Sequence, residues 1–352
     1  MATSSSMVKS LRLNVGSGIA FIAPASGFAA LVKHRLEQAQ KYFTDKGYKV
    51  YLYPTSRQNA HPISSNTAEL RAKDVMDAFR DPDIRAIICT IGGNTCHQLI
   101  EYLDFEVIRR HPKIFVGYSD ITSLHLSLYK KANLCTFYGP SAICQFGEFP
   151  SLYEYTEQYF FRAVAQDCPI GCVLPSEHWT DDDKSVNWLT QMDRTQSRQF
   201  KPNHGFEWLR PGKATGPILG GCIPVLLNLP GEYYPDFSGT ILLLETPEGD
   251  QFDRGFSLDE ADRVLGVLRL NGTFEKVRGL VFGRAFLYST EQVKILHQVL
   301  RENTRGFDFP ILYGVDVGHS DPMITVPLGV QATLDSDANL FSIDEAGVYS
   351  GS

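Results

Sequence analysis

The sequence predicts an α/β protein with a Rossmann-like parallel sheet in its N-terminal domain and a smaller α/β domain after it. The chain has 352 residues, of which 43% are hydrophobic and 21% charged, an ordinary composition for a globular protein of about two domains. In the N-terminal half, short apolar runs alternate with helix-length amphipathic segments. Such alternation is typical of βαβ units, which build parallel sheets.

The N-terminal domain is predicted to span residues 1–165. Its strands are expected in five apolar runs, at residues 19–23, 48–53, 84–91, 113–117 and 134–138. Two of the amphipathic segments between them, 29–46 and 67–80, have the apolar period of helices. Because a crossover between parallel strands is right-handed, these helices should cover both faces of one sheet.

The alternation is lost in residues 166–212, which hold all three tryptophans and the acidic run Asp181-Asp182-Asp183. This segment is predicted to cross between the domains and to include a surface loop that contacts substrate. Residues 213–352 form the predicted C-terminal domain. Its elements are mixed and follow in order: the segment "ATGPILGG" (214–221), a strand-like run at 239–245, a helix at 257–270, the segment "KVRGLVFG" (276–283), a helix at 291–302 and then short strands.

Composition argues against several classes of function. The net charge is −7 and no block of lysine and arginine occurs, so we expect no nucleic-acid partner and no membrane-surface partner. No apolar stretch has the length of a signal peptide or of a spanning helix, which favours a cytoplasmic protein. The seven cysteines are predicted to be mainly reduced core thiols, and no Cys/His spacing predicts a metal site.

Two predicted strands end in sequences suited to a ligand site, since ligands bind outside the carboxyl ends of parallel strands. One strand runs into Gly92-Gly93, where the backbone can approach a ligand closely. The other runs through "GYSD" into a helical pattern, which places Ser119 at a strand-to-helix turn. Ser119 could be a helix cap or a nucleophile, and the general G-x-S-x-G motif is absent.

A serine nucleophile requires a base and an acid that orients the base. Of nine histidines, His319 stands out, because it follows a strand-like run in a loop that ends at a proline-stiffened segment. Glu245 closes an aliphatic run, where a carboxylate needs a partner or a task; a strand-end charge in solvent is the alternative. Glu248, Asp250 and Asp253 are interpreted as ordinary polar turn residues.

Five segments together resemble the LD-carboxypeptidase family of serine peptidases, over almost the whole chain. They are "TIGGN" (90–94), "GYSDIT" (117–122), "FYGP" (137–140), "LLLE" (242–245) and "GHSDPMITVPLG" (318–329). Within the family, "FGEFP" (146–150) and "VNW" (186–188) are more similar to the microcin C self-immunity branch than to the murein-recycling branch.

The resemblance implies a Ser-Glu-His triad of Ser119, Glu245 and His319, with the backbone N–H groups of Gly93 and Asp120 as the oxyanion hole. It also implies a homodimer with its site at the domain cleft and no cofactor or metal. In the immunity branch the substrate is a peptidyl or aminoacyl nucleotide. In that branch an aromatic residue from a loop stacks on the nucleobase of the substrate.

Trp188 is the candidate for this stacking role, and packing between the domains is the alternative interpretation. The chain departs from the family at two places near the expected cleft. It has Gly220-Gly221-Cys222 where Gly-Gly-Asn is frequent, and Thr246 where an acidic residue is frequent. These departures affect the expected substrate more than the expected activity.

Two other functions remain open at this point. The first is an LD-carboxypeptidase that removes a D-amino acid from murein tetrapeptide. The second is a non-catalytic α/β protein that closes over a ligand, with Ser119 as a helix cap only.

Overall fold

The computed structural model describes residues 7–182, 188–251 and 253–351. The N-terminal half contains six strands and five α-helices. The strands are β1 (Ser10–Leu11), β2 (Gly18–Ile22), β3 (Lys49–Leu52), β4 (Ile84–Cys89), β5 (Ile114–Gly117) and β6 (Thr136–Tyr138), and the helices are α1 (Lys33–Asp45), α2 (Ala68–Arg80), α3 (Phe105–Arg110), α4 (Thr122–Ser127) and α5 (Glu154–Ala165). The five predicted strands are therefore present, with ends shifted by a residue or two.

The remainder of the chain contains twelve further strands and four further α-helices within the described ranges. The strands are β7 (Gly171–Cys172), β8 (His178–Trp179), β9 (Lys201–Pro202), β10 (Glu207–Arg210), β11 (Lys213–Cys222), β12 (Ile241–Glu245), β13 (Gly279–Gly283), β14 (Ile311–Val315), β15 (Val326–Leu328), β16 (Gln331–Asp335), β17 (Leu340–Ile343) and β18 (Val348–Tyr349), and the helices are α6 (Ile223–Leu226), α7 (Leu258–Leu270), α8 (Thr273–Lys276) and α9 (Thr290–Asn303).

The N-terminal sheet has the order β15-β6-β5-β4-β2-β3. Its five N-terminal strands pair in parallel, which confirms the predicted Rossmann-like sheet. Every residue of β2 and β5 is buried, as expected for strands covered by helices on both faces. Local signals agree with the fold: the hydroxyl of Thr67 caps α2 by accepting a hydrogen bond from Leu70 N.

The second sheet is mixed, with the order β10-β14-β13-β12-β11-β16-β17-β7. Its centre, from β11 to β14, is parallel, and antiparallel strands flank it on both sides. The segment 166–212 contributes β7 and β10 to this sheet. In the other direction, β15 leaves the C-terminal half and pairs antiparallel with β6, so that Val326 lies opposite Tyr138. The two halves of the chain are therefore interleaved through their sheets.

The two sheets meet at the carboxyl ends of their central strands. The backbone N–H of Cys222, at the end of β11, donates to the hydroxyl of Thr122 at the start of α4 (3.0 Å). A Cβ atom added to Gly221 would lie 2.5 Å from the same hydroxyl and 3.0 Å from the Tyr138 ring. The ends of β5, β6, β11 and β12 thus face one another across a single junction.

Five of the seven cysteines are buried, and all seven are free thiols. Cys168 and Cys172 are exposed, so the prediction of core thiols does not extend to these two. None of the helices in the described ranges combines the length and the apolar character that a membrane span requires.

Candidate active site

Ser119 occupies a strained turn between β5 and α4. Its φ angle is +64°, in the left-handed region that residues with a side chain seldom adopt. Its hydroxyl makes no hydrogen bond to another described residue, so it does not cap the helix. A Cβ atom on Gly92 would lie only 2.9 Å from the Ser119 Oγ. Glycine at position 92 therefore gives the hydroxyl its space.

Glu245 and His319 form a buried carboxylate–imidazole pair. Glu245 is the last residue of β12 and is fully buried, and its Oε2 lies 2.7 Å from His319 Nδ1. His319 lies in the loop between β14 and β15, with its side chain 8% exposed. Gly318 has φ of +109°, and a Cβ atom there would lie 2.5 Å from Glu245 Oε2. A larger residue before His319 would separate the pair.

Tyr138 connects this pair to the turn that carries Ser119. Its hydroxyl donates to Glu245 Oε1 (2.6 Å) and accepts from the backbone N–H of Ser119 (3.1 Å). Burial, followed by the charge of Glu245, raises the pKa of Tyr138 well above its usual value, so the phenol stays protonated and can donate. The sequence indicated Tyr138 only as part of the "FYGP" segment (137–140) and suggested no role for its hydroxyl. Its position at the end of the strand beside β5 was the available signal.

The imidazole of His319 is enclosed by aromatic rings. Tyr118 packs edge-on at 4.9 Å between ring centroids, and Phe286 lies at 6.1 Å. The side-chain amide of Gln145 donates to the Tyr118 hydroxyl (3.3 Å) and to Asp321 (3.2 Å). These contacts hold the ring from its faces, while Glu245 holds its Nδ1 edge.

The backbone N–H groups of Gly93 and Asp120 are both available beside Ser119. Neither donates a hydrogen bond to another residue of the described ranges. The buried carboxylate of Asp120 accepts from the N–H groups of Thr95 (2.7 Å) and Cys96 (2.9 Å). Asp120 therefore joins the glycine turn after β4 to the serine turn after β5, a role that the sequence did not reveal.

Glu248 lies at the opposite edge of His319 from Glu245. Its Oε2 is 3.6 Å from His319 Nε2, and its side chain is 34% exposed. The interpretation of Glu248 as an ordinary turn residue is therefore wrong: the loop after β12 folds back and brings the carboxylate to the imidazole. The neighbouring Asp250 is exposed.

The Cys222 thiol lies beside these acids. Its pKa is raised well above the usual value by burial first, and then by the charges of Glu245 and Glu248. Cys222 is therefore a protonated thiol in an acidic site.

Trp188 is half-buried against the N-terminal domain. The Arg35 guanidinium lies over its ring, 3.8 Å from the centroid, and the Phe28 ring lies at 6.2 Å. Val186 and Asn187 of the "VNW" segment, together with Asp183 of the acidic run, lie outside the described residues.

A buried chain of charges connects the Trp188 region to the His319 loop. Arg35, which is 1% exposed, lies 3.5 Å from the Glu148 carboxylate. The Arg198 guanidinium lies 3.4 Å from Glu148 and 2.5 Å from Asp321. Because Asp321 is two residues after His319, the segment that carries Trp188 and Arg198 is fastened to the His319 loop.

Among the described residues, no group of histidine, cysteine, aspartate and glutamate side chains could hold a metal ion.

Comparison with known proteins identifies the family. The model of the LD-carboxypeptidase N-terminal domain matches residues 19–139, and that of the LD-carboxypeptidase C-terminal domain matches residues 215–334. The chain belongs to the LD-carboxypeptidase family of serine peptidases.

Related proteins match along nearly the full length of this LD-carboxypeptidase family member. The microcin C7 self-immunity protein MccF of Escherichia coli is 32% identical, covering 95% of this chain and 94% of its own. A Bacillus subtilis protein named "Probable murein peptide carboxypeptidase" is 27% identical, covering 96% and 95%.

Solved structures agree with the sequence matches. MccF in complex with glutamyl sulfamoyl guanosine superimposes with a TM-score of 0.88 at 30% identity, covering 97% of this chain and 99% of that one. An MccF-like protein of Bacillus anthracis gives a TM-score of 0.84 at 31% identity, covering 96% and 99%. The resemblance to the LD-carboxypeptidase family and its self-immunity branch is confirmed.

Proposed function

We propose that this family member is a serine amidase that hydrolyses the amide bond of aminoacyl- or peptidyl-nucleotide compounds of the microcin C type. Ser119 is the nucleophile, His319 the general base and Glu245 the residue that orients the base. The observation that carries this proposal is the Glu245–His319 pair at 2.7 Å. Tyr138 links this pair to Ser119, which lies in a left-handed turn and whose hydroxyl is not committed to capping.

The contact at Nδ1 determines the direction of proton transfer. With Nδ1–H donated to Glu245, the neutral imidazole has its lone pair on Nε2. Nε2 can then remove the proton from the Ser119 hydroxyl while the oxygen attacks the substrate carbonyl. Glu245 stabilises the imidazolium that forms. Tyr138 fixes the second oxygen of Glu245, so the carboxylate cannot turn away from the ring.

The negative oxygen of the tetrahedral intermediate is assigned to the N–H groups of Gly93 and Asp120. One such donor is typically worth about 3 kcal/mol of barrier. His319 then returns its proton to the leaving nitrogen, and the amide bond breaks. Water, activated by the same imidazole, releases the acyl group from Ser119. All of these steps use residues of this chain and water.

The nucleotide class of substrate rests on two supports. MccF has been solved in complex with glutamyl sulfamoyl guanosine and with aspartyl sulfamoyl adenosine, and an MccF-like protein of Streptococcus pneumoniae in complex with AMP. In this chain, Trp188 supplies a half-buried aromatic ring in the segment fastened to the His319 loop. We assign the nucleobase to this ring.

Removal of a D-amino acid from murein tetrapeptide is the second candidate activity, favoured by the match to the Bacillus subtilis relative. The deciding experiment is product analysis by mass spectrometry. The purified enzyme is given aspartyl sulfamoyl adenosine and, separately, a murein tetrapeptide, with Ser119→Ala as the control. Cleavage of the nucleoside compound by the wild type alone supports the proposal. Cleavage of the tetrapeptide alone overturns it in favour of cell-wall recycling.

The remaining alternative, a non-catalytic binding protein, is tested by labelling with a serine-directed fluorophosphonate. Labelling that disappears in folded Ser119→Ala excludes it. We also propose that the protein is a homodimer, as the family resemblance implies, and that it is cytoplasmic, as the sequence favours. Light scattering coupled to size-exclusion chromatography would show a mass of about twice the chain mass of 39.4 kDa, and a single-chain mass would refute the dimer.

A further inference from the structure

Glu248 lies at the edge of His319 where the proposed reaction takes place. Glu245 occupies Nδ1, so Nε2 is the nitrogen that exchanges protons with Ser119 and with the leaving group. The Glu248 carboxylate is 3.6 Å from Nε2. A group bound by this carboxylate would therefore lie within a few ångströms of the scissile carbonyl.

Glu248 has no lysine or arginine partner within the part of the chain that the structure describes. Its only ion-pair contact there is with His319. Its side chain is one-third exposed, so it can reach a ligand in the cleft. A partly buried carboxylate without a cation is costly, and a positively charged substrate group would remove that cost.

The loop that carries Glu248 is held in place by backbone hydrogen bonds. Glu248 pairs with Gly255 in an antiparallel bridge. Gly249 N donates to Arg254 O (2.8 Å), and Phe256 N donates to Pro247 O (3.1 Å). The carboxylate is therefore presented by a hairpin-like turn and not by a free side chain on an open loop.

Glu248 is one of several carboxylates that act on the Cys222 thiol at the end of β11. The buried thiol of Cys222 has its pKa raised, after the effect of burial, by the charges of Glu245, Glu248 and Asp120 in turn. Three carboxylates thus act on one position at the junction of the sheets. Such a field favours cations and disfavours anions close to the scissile bond.

We propose that Glu248 binds the free α-ammonium group of an aminoacyl substrate and so selects aminoacyl over N-acylated or peptidyl compounds. This inference rests on the proposed function and names the substrate class within it. The α-ammonium is bonded to the carbon next to the scissile carbonyl, so it is the substrate cation nearest to His319. Peptidyl compounds and murein tetrapeptide hold the corresponding nitrogen as a neutral amide. They would leave Glu248 without a partner.

The test uses two pairs of compounds that differ only in the α-amino group. The first pair is alanyl sulfamoyl adenosine and its N-acetyl form. The second is an L-alanyl-D-alanine dipeptide and its N-acetyl form. Within whichever pair the wild type cleaves, we expect kcat/KM for the compound with the free amine to be at least about tenfold higher than for its N-acetyl form. The difference should lie mainly in KM, because the contact with Glu248 is already made in the bound substrate.

Two variants locate the effect. In Glu248→Gln, which keeps the size and removes the charge, the preference should fall to within about twofold. In Asp250→Asn, which removes an exposed charge from the same loop, the tenfold preference should remain. Retention of the preference in Glu248→Gln, or its equal loss in Asp250→Asn, would overturn the role of Glu248.

The design separates this inference from the proposed function. Equal cleavage of both members of a pair by the wild type would overturn the inference alone. Cleavage restricted to the dipeptides, with the free amine preferred, would support Glu248 and overturn the nucleotide substrate. If no compound is cleaved, the amidase proposal and this inference both fail.

Discussion

The region of the proposed triad (Ser119, Glu245 and His319) and the region around Trp188 are built very differently, although one buried chain of charges joins them. In the triad region, Glu245 is fully buried and both of its oxygens have partners, and His319 is held at its edge and faces. Trp188, in contrast, is half-buried and packs on one cation and one neighbouring ring. The groups of the proposed chemistry are thus held by many contacts, while the proposed recognition of the nucleobase depends on few. Substitutions should therefore have large, substrate-independent effects in the first region and small, substrate-dependent effects in the second.

Removal of the proposed nucleophile should have the largest effect. We expect Ser119→Ala to lower kcat by about 10⁴-fold or more on every cleaved substrate, as for other serine triads. The measurement is single-turnover hydrolysis, with thermal unfolding to check the fold. An activity within tenfold of the wild type would remove Ser119 from the mechanism and with it the contrast between the two regions.

Loss of the Tyr138 hydroxyl should come next. In Tyr138→Phe, one oxygen of the buried Glu245 loses its donor, which costs about 1–3 kcal/mol of stability. We expect kcat to fall about tenfold or more, with KM little changed, because the carboxylate is then free to turn. Chemical denaturation and steady-state kinetics test both expectations.

A matched control for this variant is Tyr118→Phe. Its hydroxyl accepts a hydrogen bond from Gln145 and does not bond to Glu245, while its ring still packs on His319. A loss of kcat in Tyr118→Phe as large as that in Tyr138→Phe would show that the hydrogen bond from Tyr138 to Glu245 is not the cause of the loss.

Arg198 tests the connection between the regions. Arg198→Met removes the cation between Glu148 and Asp321, leaving two buried carboxylates without it, which should destabilise the protein by about 3–5 kcal/mol. Because Asp321 belongs to the His319 loop, we expect a several-fold loss of kcat in the remaining folded enzyme. Arg198→Lys keeps the charge and should lose less stability. Unfolding free energies measured by denaturant titration would contradict the connection if both variants matched the wild type.

Trp188 should give the smallest and most selective effect. Base stacking on an aromatic ring is worth about 1–3 kcal/mol, so Trp188→Ala should raise KM for a nucleoside-bearing substrate by about tenfold. Activity on a murein peptide should be unchanged, and Trp188→Phe should recover most of the loss. Equal losses of activity on both substrates would instead show that Trp188 serves to pack against Arg35.

The sequence alone determined the main strands of the Rossmann-like half and the identity of the triad candidates. Apolar runs indicate which segments are buried. They therefore located β2 to β6 and the alternation of strands and helices in the Rossmann-like half. Ser119 and Glu245 were found because each follows a buried strand, and His319 because it lies in a loop between two strands. The family resemblance then assigned their roles.

Only the tertiary structure decided which side chains meet. Tyr138 and Glu245 are 107 residues apart in the chain, and their contact depends on how the two sheets face each other. Glu248 resembled any turn residue until its loop was seen to fold back to His319. Tertiary packing likewise decided the left-handed backbone of Ser119 and the pairing of β15 with β6 in the first sheet. Periodicity reports whether a residue is buried, whereas long-range packing determines its neighbours, and the chemistry of this site depends on those neighbours.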